Sequence, residues 1–279
     1  MKVSRDRFIH KWLKVPYSLH VHEYHRPKNP RATVLMIHGI GNSWKTWQNI
    51  APQLPRDVCV LAVDLLGFGS SPKPDWITYN AKVQADSIIT TLLRKGLFGP
   101  VIIVGHSLGS LVAVELARRY PFTVKSLVLC SPPFYRPRSK EKFFHPERRL
   151  RQLYGILERN PMSSSKILKF ADKYNLWPDP GFNIDEAGAL TFLATLNAAI
   201  VNQTSFEDAL KLHLQAHIIS GKLDPLIVER NIRYLAKHNP KIHHTSLPFV
   251  AHDISKPYAT RITAAIVDAL DGRIDISNI

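Results

Sequence analysis

Cysteine is scarce in this chain: only Cys59 and Cys130 occur. Each lies inside an apolar run that reads as a buried strand, where a thiol packs as a small hydrophobe, and no disulfide framework is expected. Metal-ligand spacing is lacking too. Neither H-E-x-x-H nor a Cys/His set appears among the 13 histidines, so metal catalysis is not expected. No apolar run approaches the length of a membrane span, and Met1 to Val15 is basic but has no continuous apolar stretch of the signal-peptide kind. The expected location is cytoplasmic. Internal repeats and low-complexity tracts are absent as well.

Acidic residues are also in deficit, 22 Asp and Glu against 37 Lys and Arg, which leaves +15 at pH 7. Such a field attracts anions. The basic residues are spread along the chain and no nucleic-acid motif accompanies them, so a nucleic-acid partner is not expected. Arg136 to Arg151 is the densest basic stretch. It reads first as a solvated helix face, and it is compatible with carboxylate-bearing substrates or transient contact with an anionic surface. With 45% hydrophobic and 21% charged residues the chain has the composition of a compact globule. Its length fits one core with one excursion, as a monomer or homodimer.

Short apolar runs recur at Thr33 to Ile37, Val58 to Val63, Val101 to Val104, Val124 to Cys130 and Ala216 to Ser220. They are continuous rather than alternating, as strands must be when helices cover both faces of a parallel sheet. Helical patterns sit between them at Asn80 to Lys95, Leu108 to Tyr120 and Val228 to His238, giving a βαβα order and an α/β class. Phe8 to Val15 and Tyr17 to Tyr24 are expected to pair as an antiparallel edge through a turn near Pro16. After Ser131-Pro132-Pro133 the pattern breaks until about Ala216. The gap holds the basic stretch, a turn at Trp177-Pro178-Asp179-Pro180-Gly181 and a helix over Ala187 to Val201. Residues 1–133 and 208–279 therefore read as the core, and 134–207 as a mostly helical cap.

The chemistry concentrates in Gly105-His106-Ser107-Leu108-Gly109, which follows a strand and opens a helix. A sharp strand-to-helix turn exposes a serine oxygen as a nucleophile, and glycines two residues away on either side keep that strained backbone free of clashes. The helix start aims free N–H groups at the place where negative charge would develop, so the Leu108 N–H is one candidate oxyanion donor. His38-Gly39-Ile40-Gly41 directly follows the first apolar parallel strand, and the Ile40 N–H is the second candidate.

At this point the residues resemble the α/β-hydrolase superfamily. The resemblance rests on His38-Gly39-Ile40-Gly41-Asn42-Ser43, on Gly105 to Gly109, and on Asp64-Leu65-Leu66-Gly67-Phe68-Gly69-Ser70-Ser71, which is similar to the D-x-x-G-x-G-x-S turn. It implies an eight-stranded, mostly parallel sheet flanked by helices, with the cap inserted after the sixth strand. The expected chain order is Ser, acid, His. Asp224 in Gly221-Lys222-Leu223-Asp224-Pro225 looks like the family's G-x-x-D, while the alternative acid position holds Ser131-Pro132-Pro133. His252 follows the last strand, Ile242 to Leu247, and precedes a helix near Lys256. His243 and His244 are the runners-up, inside the strand. Ala251 stands where the family more often has glycine before the histidine. Trp44, Trp47 and His106 are candidates for the substrate pocket.

Together these residues predict a serine hydrolase that cleaves carboxylic esters of small to medium acyl groups through an acyl-enzyme on Ser107, oriented by Asp224 and His252, without a cofactor. Two other readings stay open: a carbon-carbon bond hydrolase of ring-cleavage products, and a noncatalytic scaffold that binds a small ligand.

Overall fold

The computed structural model describes residues 5–136, 146–159 and 186–273. Its strands are β1 (Val21–His25), β2 (Thr33–Ile37), β3 (Cys59–Val63), β4 (Val101–His106), β5 (Val124–Cys130), β6 (Ala216–Gly221) and β7 (Ile242–Leu247). They form one sheet in the order β1-β3-β2-β4-β5-β6-β7. β1 is antiparallel to β3, and every other pairing is parallel. Helices α1 (Ala81–Arg94), α2 (Leu108–Arg119), α6 (Glu229–His238) and α7 (Lys256–Leu270) alternate with the strands. Between β5 and β6 lie α3 (Pro146–Arg159), α4 (Glu186–Thr195), which runs on as a wider turn over Leu196–Val201, and α5 (Ser205–Leu210).

The continuous apolar runs are explained by burial on both sides. Leu35, Ile37, Leu61, Ile103, Leu127 and Ile218 feed one cluster with α1 and α2. Val34, Met36, Val60, Ile102, Val104 and Ile219 feed the other with α7. Alternate residues of a strand point to opposite faces, so both parities are mainly apolar here. Local signals set the helix ends. The Asn80 side chain accepts from the Val83 N–H at 2.9 Å and starts α1, and Gly96, at φ 70°, follows its end.

Two expectations need correction. Phe8 to Val15 is not a strand: Arg7–Trp12 is a helical turn, closed by Lys14 at φ 56°. The local i, i+4 spacing of Phe8 and Trp12 suits a helix face better than a pleat. Consequently the described residues hold seven strands rather than eight, and the insertion leaves the sheet after the fifth. The expected helix over Ala187 to Val201 is present as α4 and its extension, while the turn at Trp177 to Gly181 lies outside the described residues. Among the described residues, no helix is long and apolar enough to cross a membrane.

Candidate active site

Parallel strands bring their carboxyl ends to one edge of the sheet, and loops leaving that edge carry the residues singled out above. Ser107 joins β4 to α2 at φ 52° and ψ −118°, a backbone state that a residue with a Cβ rarely adopts. It is held there by its N–H donating to Cys130 O at 2.8 Å, and by Ser110 Oγ donating to Gly105 O at 2.8 Å. The flanking glycines have a steric reason. A Cβ on Gly105 would lie 2.5 Å from the backbone of Gly109, and one on Gly109 would lie 2.2 Å from Ile37 O. The turn therefore packs backbone on backbone between β4, α2 and the end of β2.

The His38 to Gly41 loop sits directly against this turn: a Cβ on Gly39 would be 3.2 Å from both Ser107 Cβ and His106 Nδ1. His38 is fully buried and fixes the loop. Its Nε2 accepts from the Leu65 N–H at 2.9 Å, so Nδ1 carries the proton and donates to Gly39 O at 2.6 Å. Leu108 is the first residue of α2, where helix geometry leaves an N–H without an intrahelical partner. Thus Ile40 and Leu108 both lie on segments that border Ser107.

Asp224 and His252 meet. His252 Nδ1 donates to Asp224 Oδ2 at 2.7 Å, and Asp224 Oδ1 accepts from the Leu226 N–H at 2.9 Å. Burial alone would push the Asp224 carboxyl up. The His252 hydrogen bond and charge, the Leu226 N–H and the Ser131 hydroxyl outweigh it and hold the group below the ordinary carboxylate range. The alternative acid position is thus filled by Ser131, whose hydroxyl favours the charged form of the acid. It is buried at φ 47°, with its Oγ 3.0 Å from the Tyr258 hydroxyl, which donates to Ile219 O.

Gly221 explains how His252 arrives. A Cβ there would fall 2.1 Å from Val250 O and 2.9 Å from Ala251 O, so the loop after β7 crosses the end of β6 only over a glycine. The close-packing glycine lies on the neighbouring strand, which accounts for Ala251 being accommodated before the histidine. His106 supports the same loop, its Nε2 donating to His252 O at 2.9 Å. Sequence reasoning missed His38, Ser131 and Gly221 as supports. Only Gly221, a glycine closing an apolar strand, carried a visible signal.

The remaining candidates lie elsewhere. Trp44 stacks on His22 of β1 at 3.7 Å and donates its N–H to Asp64 Oδ1 at 2.6 Å. Trp47 is buried in the cluster beneath α7. Asp64 organises the D-x-x-G-x-G-x-S turn, also accepting from the Ser70 N–H at 2.9 Å, and a Cβ on Gly69 would lie 2.3 Å from its carboxylate. His243 and His244 lie on opposite faces of β7, the His243 ring 4.7 Å from that of His217 and His244 Nε2 2.8 Å from Ser220 Oγ. Among the described residues no cluster of His, Cys, Asp or Glu could hold a metal ion.

A strained serine after the fourth strand, a glycine-lined loop after the second and an Asp–His pair beyond the insertion form one ordered set. The chain is an α/β-hydrolase by fold. The model of the alpha/beta hydrolase fold family matches residues 32–162. The chain is 42% identical over 114 residues to lipase LipV of Mycobacterium tuberculosis, covering 41% of each protein. It is 35% identical over 114 residues to BODYGUARD 2 of Arabidopsis thaliana, named a probable lysophospholipase, covering 39% of this chain and 24% of that protein. The matched stretch thus spans from about a quarter to two fifths of these relatives' lengths. Among solved structures, an esterase from Thermogutta terrifontis superposes with a TM-score of 0.68 at 18% identity over 92% of this chain and 94% of that one. The enol-lactonase of Burkholderia xenovorans gives 0.70 at 17% over 91% and 96%.

Proposed function

We propose that this α/β-hydrolase is a serine esterase acting on carboxylic esters of small to medium acyl groups, with residues 134–207 forming the cap over its site. The observation that carries the reading is the 2.7 Å Asp224–His252 pair on the same sheet edge as the strained Ser107 turn. With Nδ1–H committed to the carboxylate, the other nitrogen of a neutral His252 is free to act as base. It takes the Ser107 proton as Oγ attacks the ester carbonyl, and the Ile40 and Leu108 N–H groups stabilise the oxyanion. Each such donor contributes about 3 to 4 kcal/mol in comparable sites. The imidazolium returns its proton to the leaving alcohol. A water deprotonated by His252 then releases the acid. The esterase, lactonase and lipase names among the similar proteins favour an oxygen ester over a carbon-carbon bond.

The test is a graded series of p-nitrophenyl esters together with a fluorophosphonate probe. Wild type is expected to turn over the shorter esters and to be labelled covalently, and Ser107→Ala to lose both while keeping its melting temperature. A folded Ser107→Ala that retains turnover removes the assignment. Failure of both assays in wild type leaves the binding-scaffold reading in its place.

A further inference from the structure

The helical turn ahead of β1 has a face the hydrolase site does not use. Within Arg5–Val15 only Ile9, His10 and Val15 are partly withdrawn from solvent. That inner side is tied down: His10 stacks on Tyr17 at 3.7 Å and lies 2.7 Å from Val15 O, and the Tyr17 hydroxyl donates to Asp6 at 2.9 Å. Arg7 caps the Trp76 ring at 5.0 Å. The outer side carries Phe8 at 53%, Trp12 at 73% and Leu13 at 58% exposure. Lys11 and Lys14 are interleaved with these rings and make no ion pair among the described residues. The one carboxylate of the segment, Asp6, faces Tyr17 and His10 instead.

Exposed aromatic and leucine side chains beside lysines are the pattern of a helix lying in a lipid interface. Its rings enter the headgroup boundary and its cations meet anionic lipid. Position strengthens the reading. Because β1 is antiparallel, Val21 pairs with Val63 and His20 O accepts from the Asp64 N–H at 3.0 Å. The residues before β1 are therefore at the carboxyl end of the parallel strands, where Ser107 and His252 also lie. Lys14, held in the left-handed region, closes the turn by letting the Val15 N–H reach Ile9 O at 3.2 Å, which keeps Trp12 and Leu13 turned outward.

We propose that Arg5–Val15 seats the protein on an anionic lipid surface, with the carboxyl end of its sheet beside the membrane. The occupant is an anionic bilayer, because Lys11 and Lys14, in a chain of net charge +15, stand beside three exposed apolar side chains, Phe8, Trp12 and Leu13. The inference stands apart from the esterase reading, since its readout is binding and not turnover.

The test is co-sedimentation of the full chain with vesicles of phosphatidylcholine alone and with 30% phosphatidylglycerol added. Wild type is expected to sediment with the anionic vesicles and far less with the neutral ones. Lys11→Glu/Lys14→Glu should weaken binding at least roughly 25-fold, about fivefold for each cation lost. Trp12→Ser/Leu13→Ser should weaken it by a similar factor. Hydrolysis of a short soluble ester, where wild type shows it, should stay unchanged in both. Phe98→Ser/Phe122→Ser, which alters two rings 79% and 93% exposed at the other end of the sheet, should bind as wild type does. The proposal is overturned if wild type ignores anionic vesicles, or if both Arg5–Val15 variants bind undiminished. It is also overturned if Trp12→Ser/Leu13→Ser instead abolishes a dimer of the wild-type chain that ignores lipid. All substituted side chains are exposed, and an unchanged melting temperature confirms that each variant is folded.

Discussion

His244 and His252 lie on either side of one turn, and the fold treats their rings in opposite ways. His244 belongs to β7 at the sheet edge. Burial, opposed by attraction from Glu229, pushes its pKa down to about 4, and its Nε2 is spent on Ser220 Oγ. Its neighbour His217 on β6 is pushed further, to about 3, and its Nε2 lies 2.8 Å from Thr245 Oγ1. These rings pack as neutral polar wedges between strands. His252 instead sits in a loop, with one nitrogen on a carboxylate buried for that purpose and the other left over. A base needs a partner that stabilises its charged form, and at His244 the loss of water outweighs the attraction of Glu229.

The largest effect that would break this contrast is loss of the base itself. His252→Ala is expected to lower kcat by about 10⁴-fold or more on a p-nitrophenyl ester, as removal of a triad member does elsewhere. His244→Asn should leave kcat/KM within about threefold, measured on protein whose folded fraction has been checked by circular dichroism. Comparable losses in the two variants would mean that the base has been assigned to the wrong side of the turn.

A smaller effect isolates the support from the chemistry. Gly221→Ala places a methyl 2.1 Å from Val250 O, and the obstructing atoms are backbone, so the loop itself must move. A displacement of about 1 Å at a reacting group costs on the order of 10²-fold in rate. We expect kcat to fall by about that factor, with a lowered melting temperature. Gly99→Ala, where nothing lies within 4 Å of the added methyl, is the control and should change neither. Unaltered kcat in Gly221→Ala would show that the loop after β7 positions His252 without the glycine crossing.

These contrasts also mark what the sequence made legible. The apolar runs at β2, β3, β4 and β5 identified the sheet because burial on both faces leaves a continuous signal. The Gly105 to Gly109 spacing identified the turn because its backbone contacts admit no side chain at either end. The edge was misread: Phe8, Trp12 and Leu13 are apolar without being buried, and apolarity alone does not separate a pleat from an exposed helix face. The roles of His38, Ser131 and His106 were hidden for a different reason. Each acts through hydrogen bonds to residues distant in the chain, Leu65, Tyr258 and His252, which no local pattern encodes.

The finest test of the contrast is a pH slope in stability. His217 is folded-state neutral down to about pH 3, chiefly because of burial, with the nearby His243, Arg261 and His244 adding repulsion. In the unfolded chain a histidine takes its proton near pH 6.5. The folded pKa is thus depressed, and the unfolded state binds the proton first. The stability tied to the neutral ring is complete above about pH 6.5 and declines as pH falls toward 3, by about 1.4 kcal/mol per pH unit. Asp224 contributes in a separate window. Its depressed carboxyl favours the fold above an unfolded pKa of about 3.9 and loses that contribution only below it. Urea unfolding between pH 6 and pH 4.5 therefore reads the strand histidines rather than the Asp–His pair. His217→Leu should flatten the pH dependence by about 1.4 kcal/mol per unit whatever its effect at pH 7. Asp224→Asn should leave most of that slope in place. A slope that survives His217→Leu intact would assign the acid sensitivity to His244 or His243 on the facing strand.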